Sequence, residues 1–188
     1  MNFPPFLKKL KRGPQVILPK DFGAIAAFTC VGKKSVCIDA GSGSGWLACM
    51  LGNICKKVYS YEWREDFAKL AGENVARSGL KNVKIKQKSA FEGFDEKDVD
   101  LICLDMAESD KVVPHAHAAL KADGFLVGFL PHAEQAQKFV SACKGAGFAE
   151  GNIFVIEVMT RDMLAREHGF RPDTMGLWHT GYLAFARK

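Results

Sequence analysis

Short apolar runs alternate along this chain with segments whose apolar residues recur every three to four positions. The runs at 35–40 (SVCIDA), 57–62 (KVYSYE), 83–88 (VKIKQK), 99–104 (VDLICL) and 124–130 (GFLVGFL) predict β-strands. The segments at about 44–54, 64–78, 109–120 and 133–146 predict helices between and after them. Strands apolar on both faces, alternating with helices, indicate an α/β protein whose parallel sheet is covered on both sides. The rhythm then breaks. The stretches 152–161 (NIFVIEVMTR) and 178–188 (WHTGYLAFARK) both read as strands, with no clear helix between them. That pattern predicts an antiparallel hairpin closing an otherwise parallel sheet. The chain has no internal repeat and no low-complexity linker.

Behind the first predicted strand lies IDAGSGSGW (38–46), with Gly41, Gly43 and Gly45 at alternate positions and Ser42 and Ser44 between them. A loop between the first strand and first helix of such a sheet sits at its C-terminal edge, where these folds bind ligands. A Walker A loop requires Lys and then Ser or Thr after its last glycine, and neither is present. A dinucleotide fingerprint requires GxGxxG, and the third glycine position holds Trp46. Asp39, two residues ahead of the loop, would repel a pyrophosphate and favour an ammonium or sulfonium group. S-adenosylmethionine has both; a plain glycine-rich turn is the alternative. The second predicted strand ends at Glu62, where a carboxylate can accept hydrogen bonds from both hydroxyls of a ribose. Trp63 follows it, either stacked on the adenine or a core aromatic at a strand end.

Composition narrows the class. Apolar residues make up 48% of the 188-residue chain and charged residues 25%, as in globular domains of ordinary size. No 18-residue apolar stretch is present. The opening MNFPPFLKKLKR lacks the apolar segment of a secretory signal, so a cytoplasmic location is expected. Cysteines 30, 37, 49, 55, 103 and 143 form no CxxC pair, which predicts reduced thiols and no metal site. The net charge of +5 permits a nucleic-acid partner without requiring one.

Four stretches together resemble one family: GPQVILPKD (13–21), YEWREDFAKLAGEN (61–74), EGFDEKDVDLICLD (92–105) and RPDTMGLWHTGYLAFAR (171–187). They are similar to the archaeal and bacterial tRNA (adenine-58-N1)-methyltransferases, from about residue 11 to the end. The glycine loop suits any S-adenosylmethionine-dependent methyltransferase; the C-terminal RP…HTGY…FAR segment is more specific. The resemblance implies a class I methyltransferase fold, Rossmann-like, with a seven-stranded mostly parallel sheet and an antiparallel last strand. It also implies a homotetramer acting on adenine 57 or 58 of the tRNA T-loop, with S-adenosylmethionine as methyl donor. On this reading residues 1–20 form a basic N-terminal arm and 21–188 the catalytic domain.

The family's functional positions carry over one at a time. The loop from Asp39 to Gly45 and the acid Glu62 match its cofactor site, and Gln15 with LPKD matches a segment approaching cofactor and target base. Asp105, ending the fourth strand, matches an acid that contacts the target adenine and borders the cofactor. Arg171 and His179 match the C-terminal signature near that pocket. Three departures stand out. Ser89 replaces the aspartate that receives the cofactor's exocyclic amine. The active-site acid is followed by DMAES, so Ala107 and Ser109 replace prolines that would fix φ. Members normally have an N-terminal domain of several dozen residues, and this chain begins almost at the catalytic one. That leaves tRNA docking to the chain's own basic surface or to a partner subunit.

The chemistry implied makes modest demands. Neutral adenine N1 is already nucleophilic, so the site must mainly place it in line with the methyl group. Asp105 is expected to accept from the target's N6 and to offset the charge that develops on the ring; its alternative is a turn residue ending a buried strand. Because N1 lies on the pairing edge, the nucleotide must leave its tRNA context first. Lys8, Lys9, Lys11 and Arg12 are expected to contact RNA, whereas Lys84, Lys86 and Lys88 suit protection of an edge strand at least as well. His115 and His117, two apart on a helix, point different ways and make poor metal ligands. Two other readings stay open: a non-catalytic cofactor-binding subunit, and a small-molecule methyltransferase of the corrin-precursor type.

Overall fold

The computed structural model describes residues 3–13, 15–176 and 178–188. Their elements run, in chain order, α1 (Pro5–Lys8), α2 (Pro19–Thr29), β1 (Val36–Ala40), α3 (Trp46–Ile54), β2 (Lys57–Glu62), α4 (Glu65–Ser78), β3 (Val83–Gln87), β4 (Val99–Leu104), α5 (Val113–Ala119), β5 (Leu120–Leu130), α6 (Ala133–Gly145), β6 (Ile153–Glu157), β7 (Met163–Arg166), β8 (Gly169–Pro172) and β9 (Tyr182–Arg187). Seven strands form one sheet in the order β3-β2-β1-β4-β5-β9-β6. β9 pairs antiparallel with both β5 and β6, while the remaining pairs are parallel. The expected sheet is therefore present, with its final strand inserted between β5 and the edge strand β6.

Alternation along each strand sends side chains to two cores. Ile38, Ile102, Leu126 and Ala186 stand in register across four strands and pack with Val113, Ala116 and Phe139 of α5 and α6. Cys37, Leu101, Val127 and Phe185 face the other way, onto Ile25 of α2 and Leu47, Cys49 and Leu51 of α3. The chain's first residues join this second core: Leu7, Leu10, Ile17 and Leu18 are buried. The basic run is thus fastened down, although Lys8, Lys9, Lys11 and Arg12 remain exposed.

Two elements depart from the pattern-based expectation. The N-terminal segment supplies α2, which begins on Pro19 and holds a buried ion pair: Lys20 Nζ lies 2.8 Å from Asp21 Oδ1 and donates to Thr180 Oγ1 at 2.6 Å. The stretch between the last two sheet strands is occupied by a separate antiparallel ribbon, β7–β8, whose residues are almost all exposed.

Candidate active site

The order β3-β2-β1-β4 reverses direction between β1 and β4, and a cavity of about 570 Å³ opens beyond their C-terminal ends. Its walls come from the glycine loop (Gly41, Gly43), the end of β2 and start of α4 (Tyr61, Glu62, Trp63, Arg64, Phe67), Lys88, Ala90 and Phe91, the residues after β4 (Asp105 to Glu108), and Gln15.

The loop's shape follows from its glycines. Gly41, Gly43 and Gly45 all have positive φ, at 89°, 49° and 76°. A Cβ on Gly41 would lie 2.0 Å from the carbonyl oxygen of Asp105, and one on Gly45 would lie 3.0 Å from the Cβ of Ala71 in α4. Close approach is thus required on both sides of the loop. Gly41 N and Ser42 N both donate to Tyr61 O, at 3.0 and 3.1 Å. Asn74 of α4 locks the outer side, donating to Ser44 O and Lys11 O and accepting from Lys11 N, each at 2.8 Å. Trp46 Nε1 also donates to Lys11 O. The indole that rules out a dinucleotide turn therefore fastens the N-terminal segment beside the loop and brings Gln15 to the cavity.

Glu62 is buried and has two backbone partners: Oε2 accepts from Gly43 N and Oε1 from Arg64 N, both at 3.0 Å. The second lone pair of each oxygen stays available to a ligand hydroxyl. Trp63 is 66% exposed on the rim, which excludes the core-aromatic reading and leaves its ring free to stack.

Asp39 is fully buried, with Oδ2 accepting from Ser60 Oγ at 2.7 Å, and Ser60 in turn meets Ser42 Oγ. Burial pushes its carboxyl up to about 6, against the Ser60 hydrogen bond and with help from the Glu62 charge. Asp39 Oδ1 and Ser44 Oγ are buried without a hydrogen-bond partner among the described residues. Asp105 is half-buried, and desolvation followed by the Asp39 charge raises it to about 7. The two raised carboxyls stand at the ends of adjacent strands, joined by Asp105 N donating to Ala40 O at 2.9 Å, so a cation bound between them would favour their ionised forms.

Of the residues expected from sequence, Gln15, Gly41, Gly43, Glu62, Trp63 and Asp105 line the cavity. Asp39, Ser42, Ser44 and Gly45 lie behind the wall and shape or charge it. Ser89 Oγ accepts from Phe91 N at 3.3 Å, capping a short 3-10 turn, while its neighbours Lys88 and Ala90 face the cavity. Arg171 and His179 are not among the residues that line the cavity. Arg171 sits exposed on the β7–β8 ribbon. The His179 ring spans Glu157 Oε1 at 2.6 Å and Pro131 O at 2.8 Å, bracing β6 against the end of β5. On the edge strand, Lys86 and Lys88 are engaged by Asp95, and Lys86 also by Glu96. Arg64, Phe67, Lys88, Phe91, Met106 and Glu108 enter the site without having been assigned to it from the sequence. Arg64 covers the Phe67 ring with its Cζ 3.7 Å from the centroid, a local i,i+3 signal that the sequence does contain. Among the described residues no cluster of metal-ligating side chains occurs.

These features fit S-adenosylmethionine. The glycine loop admits a ligand against the backbone, Glu62 presents acceptors to a ribose, Trp63 offers a stacking face, and the orphaned oxygen of Asp39 adds negative potential behind the loop.

Residues 6–176 match the family described as tRNA methyltransferase complex GCD14 subunit. The tRNA (adenine(57)-N(1)/adenine(58)-N(1))-methyltransferase TrmI of Methanocaldococcus jannaschii is 36% identical over 96% of this chain and 74% of its own. The crystal structure of the tRNA (m1A58) methyltransferase TrmI from Aquifex aeolicus superposes with a TM-score of 0.90 at 27% identity, covering 98% of this chain and 76% of that one. A SAM-dependent O-methyltransferase from Thermotoga maritima also gives a TM-score of 0.90, at 34% identity over 97% of this chain and 69% of that one. With its fold, its cavity and these matches in agreement, the chain belongs to the tRNA methyltransferase complex GCD14 subunit family.

Proposed function

We propose that this protein transfers the methyl group of S-adenosylmethionine to N1 of an adenine in tRNA, at position 57 or 58 of the T-loop. The observation that supports this most directly is the placement of Asp105. Its main chain abuts the cofactor loop at Gly41 and its carboxyl lines the same cavity as Glu62. Bound there, S-adenosylmethionine supplies an electrophilic methyl group on a cationic sulfur. Glu62 orients the ribose, and the glycine loop leaves space for the methionine end. Asp105 accepts a hydrogen bond from the adenine N6, aims N1 along the line of transfer and offsets the positive charge left on the ring. The exposed rim formed by Trp63 and Phe91 supplies flat apolar faces for an extruded base.

The test is incorporation of labelled methyl into an unmodified tRNA transcript, followed by identification of the modified nucleoside. N1-methyladenosine supports the reading; methyl on an oxygen would move the protein toward the chemistry named for the Thermotoga relative.

One observation favours a non-catalytic subunit as the second reading. The loop after Asp105 lacks prolines and is held by other means: Glu108 adopts φ 53°, pairs with Lys111, and Ser109 is buried. Cofactor binding without transfer to any tRNA would establish it. The small-molecule reading rests on fold likeness alone.

Assembly belongs to the same proposal. Edge strand β6 exposes Phe154 and Val155, and Phe154 stacks with Phe28, itself 51% exposed, and Phe185. An apolar edge of this kind suits a homo-oligomer, a tetramer by family resemblance, and light scattering tests it. A tRNA-holding partner subunit and a cytoplasmic location complete the reading; no described helix is long and apolar enough to cross a membrane.

A further inference from the structure

A second cavity, of about 330 Å³, is bordered by the same N-terminal segment that reaches the cofactor cavity through Gln15. Its wall includes Arg12 from that segment, Arg161 and Asp162 from the stretch after β6, and Asp173 and Trp178 from the stretch before β9. The geometry points to a subsite here for the nucleobase next to the target adenine in the same RNA strand. This rests on the proposal that tRNA is the substrate.

Three observations converge. First, Trp178 is a large aromatic ring left 45% exposed, packed on the bare backbone of Gly176, with the Arg161 guanidinium 5.4 Å from its centroid. A flat ring flanked by a guanidinium is the surface on which unpaired bases stack. Second, two arginines share the cavity with two carboxylates, so its charge is balanced. Balance favours a neutral ring with polar edges over a free anion. Arg161 is also held in place, because its Nε donates to Asp173 O at 3.1 Å; its terminal nitrogens remain further donors.

Third, the spacing fits a single strand. Gln15 lines the cofactor cavity and Arg12 lines this one. Three residues of chain span at most about 10 Å, a distance that one to three stacked nucleotides cover at about 3.4 Å each. Extruding one adenine into the first cavity leaves its neighbour unstacked and within reach of the second.

Filter binding of an unmodified tRNA transcript tests the subsite in the full chain, with Trp178→Ala, Trp178→Phe and Arg161→Ala. Calorimetric S-adenosylmethionine affinity serves as the control for fold and for the first cavity. Trp178→Ala should weaken tRNA binding about 5- to 100-fold, the scale of losing one stacked base, with cofactor affinity unchanged and Trp178→Phe within about threefold of the parent protein. A transcript lacking the base on one side of the target adenine should show the same loss, and Trp178→Ala should cost nothing further on it. Unchanged tRNA affinity in Trp178→Ala overturns the subsite and leaves the tRNA reading intact. If Trp178→Ala also loses the cofactor, the exposed Arg161→Ala decides: an unchanged tRNA affinity overturns the subsite, and a selective loss supports it. A parent protein that binds cofactor but neither binds nor methylates tRNA overturns both proposals.

Discussion

A Cβ placed on Gly41 would lie 2.0 Å from the main-chain oxygen of Asp105, so the cofactor loop and the acid that faces the base share one backbone contact. No rotamer change relieves a clash between two backbones, and φ 89° strains any residue with a Cβ. Gly41→Ala should therefore cost about 2–4 kcal/mol, lowering Tm by about 4–16 °C in a chain of this size, and abolish cofactor binding. Gly72 supplies the contrast. It lies inside α4 with nothing within 4 Å of its added Cβ, so Gly72→Ala should gain up to about 1 kcal/mol from helix propensity. Paired thermal melts check both, and equal effects at the two positions would refute the packing argument.

Glu62 serves the loop before it serves any ligand. Because its two oxygens each accept a backbone N–H, at Gly43 and Arg64, Glu62→Gln must turn an NH₂ group toward one of those donors. Cofactor affinity should fall by about 1–3 kcal/mol, the cost of a buried polar group left unpaired. The apo protein's melting temperature should fall as well. Calorimetry and melting on the same variant separate the two jobs: lost affinity at unchanged apo stability would confine Glu62 to the ribose.

Asp105→Asn keeps the shape of the side chain and an acceptor oxygen while removing its charge. Transfer at saturating cofactor should slow by about 10²–10³-fold, the scale of losing one well-placed electrostatic group, a larger effect than any loss of cofactor affinity. In the unmutated protein, burial and Asp39 hold Asp105 at about 7, so its active, ionised form is gained as pH rises through neutrality. The pH profile of kcat/KM should show a rising limb near pH 7 that disappears in Asp105→Asn. Single-turnover rates equal in the two proteins would reduce Asp105 to a turn residue.

Much of this architecture was legible because its signals are local. The five parallel strands announce themselves as short runs of strand formers, and their helices by periodicity. The loop and Glu62 sit where strand ends place them. What escaped is tertiary or weakly patterned. Strand β5 begins at Leu120, ahead of the expected 124: Leu120 pairs with Val99, and a register shift over the polar stretch that follows precedes the next pair, Phe125 with Leu101. Helix α2 is rich in alanine and interrupted by Gly23, and the ribbon β7–β8 is exposed on both faces, so neither shows a clean period. The surroundings of His179 were illegible for a different reason. Its neighbours in sequence belong to a functional signature, yet its ring is taken by Glu157 and Pro131, contacts that no spacing along the chain can reveal.

Asp39 and Asp105, raised to about 6 and about 7, link the site to pH in two opposite senses. Both carboxyls ionise near 3.9 in the unfolded chain. Between that value and their folded values the native protein binds more protons than the unfolded one, so their contribution to stability falls as pH rises from about 4 to 7. His179, raised by the Pro131 carbonyl and the Glu157 carboxylate, tilts the slope the same way, while His117, lowered by burial, tilts it back. Neither histidine lines the cavity, so cofactor binding isolates the two acids. A ligand bearing a sulfonium and an ammonium favours their ionised forms and expels their protons. Binding near pH 6.5 should release protons, visible as an enthalpy that changes with the buffer's ionisation heat, and affinity should weaken as pH falls from 8 to 5. The rise in Tm on adding cofactor should accordingly be larger at pH 8 than at pH 5. Asp39→Asn keeps the acceptor for Ser60 and removes one of the two protons, so it should reduce the release while leaving a fold that melts cooperatively. Buffer-independent binding enthalpy in the unmutated protein would show that neither carboxyl senses the ligand's charge.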